Sequence, residues 1–252
     1  MHRLMHSLVA AVRFLTRVPL PGAASEAHHL PAAIAWFPLV GAAVGAAIAL
    51  VMTTLVPWWG VTVATVLAIS VGLLITGGFH EDAASDAADG LGGGFTTEKV
   101  LTIMRDSRIG AYGAMSLWVV LTLRLGLLCR AYEQLPPWQL PLAYGLACAW
   151  GRWSAAPLLA ALPPLSDGLA KDIARNVSIF PLLGASLLMA MATAAAWWWE
   201  IPHWWQAGVV ALVTCAIWGL YLQRRLGGQS GDLLGAGNQL VELAVLLTLT
   251  ME

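Results

Sequence analysis

Seven stretches of this chain are predominantly apolar for about 20 residues, the length that crosses the roughly 30 Å hydrocarbon layer of a bilayer as a helix. They lie at approximately 31–56, 61–79, 111–129, 139–161, 179–199, 204–222 and 233–251, separated by Pro, Gly and charge clusters. Charged residues make up 11% of the chain and the mean hydropathy is +0.73, whereas a soluble domain carries about 25% charge. The expected fold is therefore all-α: one polytopic integral membrane helix bundle over 1–252, with about seven transmembrane helices. No internal repeat and no soluble domain interrupts it.

The first residues, MHRLMHSLVAAVRFLTRVPLPG, imitate a signal peptide with their basic start and short apolar middle. Arg13 and Arg17 break that run and Pro19 and Pro21 end it, so the segment reads as an amphipathic or partly inserted helix that is not cleaved. Orientation follows from the basic residues. With the N-terminus in the cytoplasm, Arg3, Arg13, Arg17, Lys99, Arg105, Arg108, Lys171, Arg175, Arg224 and Arg225 face inward. Only Arg130 faces outward, while Arg124 and Arg152 fall inside spans. Trp58-Trp59, Trp138, Trp197-Trp198-Trp199 and Trp204-Trp205 sit at the predicted outer ends, where an interfacial belt prefers such rings. A net charge of −1 offers no field for nucleic acid. Cys129, Cys148 and Cys215 are isolated in or beside apolar runs and read as packing residues.

On the inward side lies GGFHEDAASDAADGLGGG. Asp82, Asp86 and Asp89 are spaced i, i+4, i+7, which places them on one stripe of a helix. Like charges so placed oppose the helix, so the stripe calls for a cation or a protein counter-charge. Mg²⁺ takes oxygen ligands, keeps waters and shares its shell with substrate phosphates. A solvated acidic helix start, favoured by the helix dipole, is the alternative; the membrane edge and the glycines that follow favour the metal.

In IMRDSRIGAYG, Arg105 and Arg108 flank Asp106-Ser107 and have the geometry to clamp a diphosphate, or else to anchor the third span from inside. RRLGGQSGDLLGAGNQL offers Arg224, Arg225, a glycine turn and Asp232 for anion binding, or simply a polar loop. Arg124, Arg152, Asn238 and Glu242 are intramembrane polar groups, either substrate contacts or mutual partners. The six histidines form no metal-ligand spacing; His80 adjoins the acids, and His28-His29 and His203 read as interfacial.

GGFHEDAASDAADGLGGG followed by IMRDSRIGAYG closely resembles the cobalamin synthase family, the adenosylcobinamide-GDP ribazoletransferases. FLTRVPLP, WFPLVGAAVG and RRLGGQSGDLLGAGNQLVE extend the resemblance, in order, over nearly the whole chain. It implies a Mg²⁺-dependent enzyme of the cell inner membrane that joins α-ribazole, or its 5′-phosphate, to adenosylcobinamide-GDP and releases GMP. It implies Asp82, Asp86 and Asp89 as catalytic and metal-binding. Arg105, Asp106, Ser107, Arg108, Arg17, Arg225, Asp232 and Glu242 are the implied substrate-binding set. Glu81 stands where the family pattern leads one to expect an apolar residue, and is left out of that core. The distantly similar CDP-alcohol phosphotransferases carry D-x2-D-G-x2-A-R, but here Asp89-Gly90 is followed by Leu-Gly-Gly-Gly without the Arg. An ion-coupled transporter is the rival from another class, disfavoured by acids at the cytoplasmic edge instead of mid-bilayer. The lower-ligand base, the riboside or its phosphate, and the oligomeric state, a homo-oligomer included, stay open.

Overall fold

The computed structural model describes residues 2–20, 29–166, 171, 173 and 178–252. Arg175 of the orientation argument, His28 and most of the 162–178 connection lie outside those residues, as does the side chain of Arg3. The structure is all-α, with five helices long and apolar enough to cross a membrane.

Helix α1 (His2–Leu15) buries Ala10, Ala11 and Leu15 and leaves Leu4 and Met5 exposed, the amphipathic pattern expected of it. It docks through Trp36 Nε1, which donates to Ser7 Oγ at 3.0 Å, and through the Arg17 amide, which donates to the Ile75 carbonyl at 2.6 Å. After α2 (Leu30–Ala33) and one 3₁₀ turn (Ile34–Trp36), α3 runs from Phe37 to Thr76. Forty helical residues would measure about 60 Å, twice a bilayer core. Gly60 breaks the run with φ 71° and ψ 170°, and Gly72 of the second half lies against Ile48 of the first. The helix thus folds back on itself, and the two expected stretches 31–56 and 61–79 become the two arms. The second arm ends early, at Thr76, because Gly77 and Gly78 both adopt left-handed φ (70° and 66°), a region glycine enters without steric cost.

Beyond that turn, α4 (Phe79–Gly93) runs antiparallel to α6 (Ala111–Gln134), with the short α5 (Thr97–Met104) between them. Three links fix the register: Glu81 to Arg124, the Ala84 carbonyl to Ser116 Oγ, and Asp89 to Gly113. The expected span 139–161 is not one helix. It divides into α7 (Leu140–Trp153) and α8 (Ala155–Ala161), because Pro157 has no amide to donate to the carbonyl four residues earlier and its ring crowds that turn. Ser154 seals the joint, its hydroxyl bonded to the Gly151 carbonyl at 2.6 Å.

Helices α9 (Ile179–Trp198), α10 (Trp204–Arg225) and α11 (Gly231–Leu249) complete the bundle. The apolar window of α11 is 78% buried, against 17–39% for the other four candidate spans, so α11 is the central post. Close approach is achieved with small residues, as is usual between apolar helices: Gly41 and Gly45 of α3 sit against Cys148 and Tyr144 of α7. At the end opposite the acids, Arg130 binds the Thr250 carbonyl and Glu252, and Gln139 donates to the Trp199 carbonyl. These bonds hold the expected outer ends of α6, α7, α9 and α11 together in pairs.

Candidate functional site

The residues between the acids of α4 explain how the helix can sit inside a bundle. Ala83, Ala84 and Ala87 are buried, Ala83 against Gly235 of α11, and Gly90 lies against Met104 of α5. Small faces are spent on packing and the carboxylates occupy what is left. Asp82 is exposed, Asp86 half-buried and Asp89 buried.

Both carboxylate oxygens of Asp89 accept backbone hydrogen bonds. Its Oδ2 accepts the Gly110 amide at 2.7 Å and its Oδ1 the Gly113 amide at 2.9 Å, so it caps the first turn of α6 from another helix. An anion at a helix N-terminus is favoured by the free amides and the dipole. A Cβ at either glycine would run into that carboxylate, which accounts for both glycines of IGAYG. Asp86 has the opposite environment. Burial, and then the charges of Asp82, Asp232 and Asp89, push its carboxyl up to about 6. Among the described residues no basic side chain forms an ion pair with Asp82, Asp86 or Asp232. Nor do three His, Cys, Asp or Glu side chains among them already surround one point at ligand distance. The set fits a hard divalent cation in one respect, an unneutralised group of carboxylate oxygens; substrate phosphate and water must complete the shell.

The RDSR motif divides. Arg108 turns back on Asp106, with Nη2 to Oδ2 at 2.6 Å and Nε to Oδ1 at 3.0 Å, and its side chain is 86% exposed. Hydrogen bonds from the Arg108 guanidinium and amide hold the Asp106 carboxyl down to about 2. Ser107 is exposed beside them. Arg105 instead faces a cavity of about 370 Å³, whose wall also includes Asp232, Ser230, Asn238, His80 and Arg152. The two arginines therefore do not form one clamp in this conformation.

The remaining expected residues are spread out. Arg17 packs over Gly77 at the head of α4, and Arg225 donates to the Gly94 and Phe95 carbonyls at 2.6 and 3.0 Å, closing the foot of the same helix. Glu242 is enclosed in an ion cluster. Arg124 reaches Glu81 at 2.7 Å, Glu242 at 3.3 Å and the Gln239 amide oxygen; Arg152 binds the other oxygen of Glu242, and Tyr144 donates to Glu242 at 3.3 Å. Two guanidiniums and two carboxylates make a neutral group joining α4, α6, α7 and α11. Glu81 is outside the expected site set, yet Arg124 and Arg152, inside apolar runs, require acidic partners, and Glu81 and Glu242 supply them. Ser230 and His80, neither of them in the expected site set, both line the cavity.

With this geometry in hand, comparison with known proteins is informative. The family model described as cobalamin-5-phosphate synthase matches residues 7–250. The chain is similar to the adenosylcobinamide-GDP ribazoletransferase of Leptothrix cholodnii, 41% identical over 94% of this chain and 92% of that one. It is likewise similar to the enzymes of the same name from Thiobacillus denitrificans (36%, over 96% and 94%) and Ralstonia nicotianae (38%, over 96% and 94%). No solved structure matches it.

Proposed function

This chain belongs to the cobalamin-5-phosphate synthase family, and from that premise we propose that its transfer chemistry takes place where the acidic face of α4 meets Asp232 and Arg105 at the mouth of the 370 Å³ cavity. It is an adenosylcobinamide-GDP ribazoletransferase of cobalamin biosynthesis. In the reaction a hydroxyl oxygen of α-ribazole, or of its 5′-phosphate, bonds to the cobinamide-linked phosphorus. The bond from that phosphorus to the bridging oxygen breaks, and GMP leaves with the electron pair.

Asp82 and Asp86, with Asp232 across from them, are the carboxylates available to hold Mg²⁺. Asp89 positions the stripe by its two amide bonds and completes the acidic set. Mg²⁺ bound there would supply positive charge to the diphosphate and the departing GMP. Arg105 reaches the same space from the other wall and neutralises phosphate oxygens. A carboxylate oxygen of Asp86 not engaged by the ion would take the acceptor proton. Asp106, Ser107 and Arg108 form an exposed turn beside the mouth, free to meet the nucleotide half of the donor when it enters.

The observation that carries this reading is Asp86, half-buried among three other carboxylates with no described cation on it. GMP release by purified protein in detergent, with both substrates and Mg²⁺, tests it. Asp86→Asn should lower turnover by at least a thousandfold while the protein stays monodisperse; near-normal turnover would reject the site. We further read the chain as one polytopic unit of the inner membrane. The two arms of α3, α6, α7 with α8, α9, α10 and α11 make seven crossings, with α1 lying on or partly in the cytoplasmic side. Cysteines introduced at 107 and 251 should label from opposite faces of sealed vesicles.

A further inference from the structure

Three residues that line the cavity each carry a buried polar atom with no hydrogen-bond partner among the described residues: Nδ1 of His80, Oγ of Ser230 and Oδ1 of Asn238. These residues are 4%, 5% and 2% exposed. A buried polar group left unbonded costs about 1–3 kcal/mol, so three around one space mark a place where a ligand supplies the partners. Ser230 is instructive because it occupies the N-cap of α11, where a serine normally bonds its own helix, yet it makes no cap bond.

Part of the cavity wall is aromatic. Phe14 stacks on Phe37 with ring centroids 5.6 Å apart and meets Phe79 edge-on at 5.3 Å; Phe79 in turn meets the His80 ring at 5.1 Å. Such walls take flat rings, face or edge on. The volume, about 370 Å³, is at the lower end of small-molecule sites, roughly 300–1,000 Å³. It is large enough for a nucleoside.

We propose that this cavity seats the aromatic base and sugar of the acceptor riboside, with His80, Ser230 and Asn238 as its hydrogen-bonding contacts and Phe14, Phe37 and Phe79 as its wall. The bound riboside then points its reactive hydroxyl toward Asp232, which lines the same cavity and faces the acidic stripe. The assignment rests on the placement of the transfer chemistry above. The guanosine half of the donor shares the chemistry of an aromatic nucleoside, and the experiment separates the two.

Binding of α-ribazole and of GMP to the detergent-purified protein is measured by calorimetry without Mg²⁺ or corrinoid, for the wild type and for His80→Phe, Asn238→Ala and Ser230→Ala. The last removes one oxygen that holds nothing else, so it keeps the comparison open if a larger change fails to fold. Each variant should weaken α-ribazole by about tenfold, the cost of one lost bond, with GMP unchanged, and KM for α-ribazole should rise while KM for adenosylcobinamide-GDP stays. Unchanged α-ribazole affinity, or a loss that falls on GMP instead, overturns the assignment. The two readings fail separately: normal turnover in Asp86→Asn rejects the acidic site, whereas unchanged α-ribazole affinity in the three variants above rejects the cavity assignment.

Discussion

Replacing Glu242 with Gln separates a substrate contact from a structural one. In the native cluster two guanidiniums face two carboxylates, and the sum is zero. Glu242→Gln keeps the shape but leaves a net positive charge in the bundle. Arg124 retains Glu81 at 2.7 Å, so the damage falls on Arg152, which loses its charged partner and keeps, among the described residues, the Cys148 carbonyl at 3.5 Å and the neutral amide oxygen of the new Gln. Removing one partner from a buried pair costs about 3–5 kcal/mol. For a chain of this length each kcal/mol moves the midpoint by roughly 2–4 °C, so a fall of roughly 6–20 °C is expected. The assay is thermal unfolding in one detergent, followed by loss of the monodisperse peak, beside GMP release at a temperature where both proteins are folded. The double variant Arg152→Met with Glu242→Gln removes both charges and should recover part of the loss, giving a coupling of a few kcal/mol in a double-mutant cycle. A midpoint within about 2 °C of wild type, with activity lost, would refute the reasoning and return Glu242 to the substrate.

Gly113→Ala places a Cβ against the Asp89 carboxylate and Ser85; turnover should drop more than tenfold and hydrogen exchange at the first turn of α6 should speed up. Asp86 binds its proton more tightly in the folded chain than in an unfolded one, where 3.8 is expected. Its contribution to stability is therefore full below pH 3.8 and lost as pH rises through about 6. Metal-free protein should accordingly gain more midpoint from added Mg²⁺ at pH 7.5 than at pH 5. For the same reason the Mg²⁺ concentration for half-maximal GMP release should rise about tenfold per unit below pH 6 and level off above 7, as a proton and a cation compete for one carboxylate. A flat Mg²⁺ requirement from pH 5 to 8 would remove Asp86 from the ion's shell.

How much of this was legible in advance depended on the range of the interaction. The apolar runs announced the helices, and the two-arm form of α3 followed from Gly60 and the length of the run. The break at Ser154 was also available in Pro157, but an apolar run masks a proline when only hydropathy is counted. The acidic stripe was visible because Asp82, Asp86 and Asp89 are neighbours on one helix. What decides their roles is not local: Asp89 is claimed by amides 21 and 24 residues away, and the Asp86 carboxyl is raised partly by Asp232 of α11. The same limit applied to Arg105 and Arg108, alike in sequence, one facing the cavity and the other held by Asp106.

The ion cluster also orders the assembly of the chain in time. Arg124 follows its acid: Glu81 has already been synthesised when the guanidinium appears. Arg152 instead pairs with Glu242, ninety residues further along the chain. Helix α11, which follows the other described helices in the chain, neutralises the bundle, and it also delivers Ser230, Asp232 and Asn238 to the cavity. Docking of α11 thereby tests the earlier insertions: a chain in which α6 or α7 has inserted wrongly offers Glu242 only part of its counter-charge.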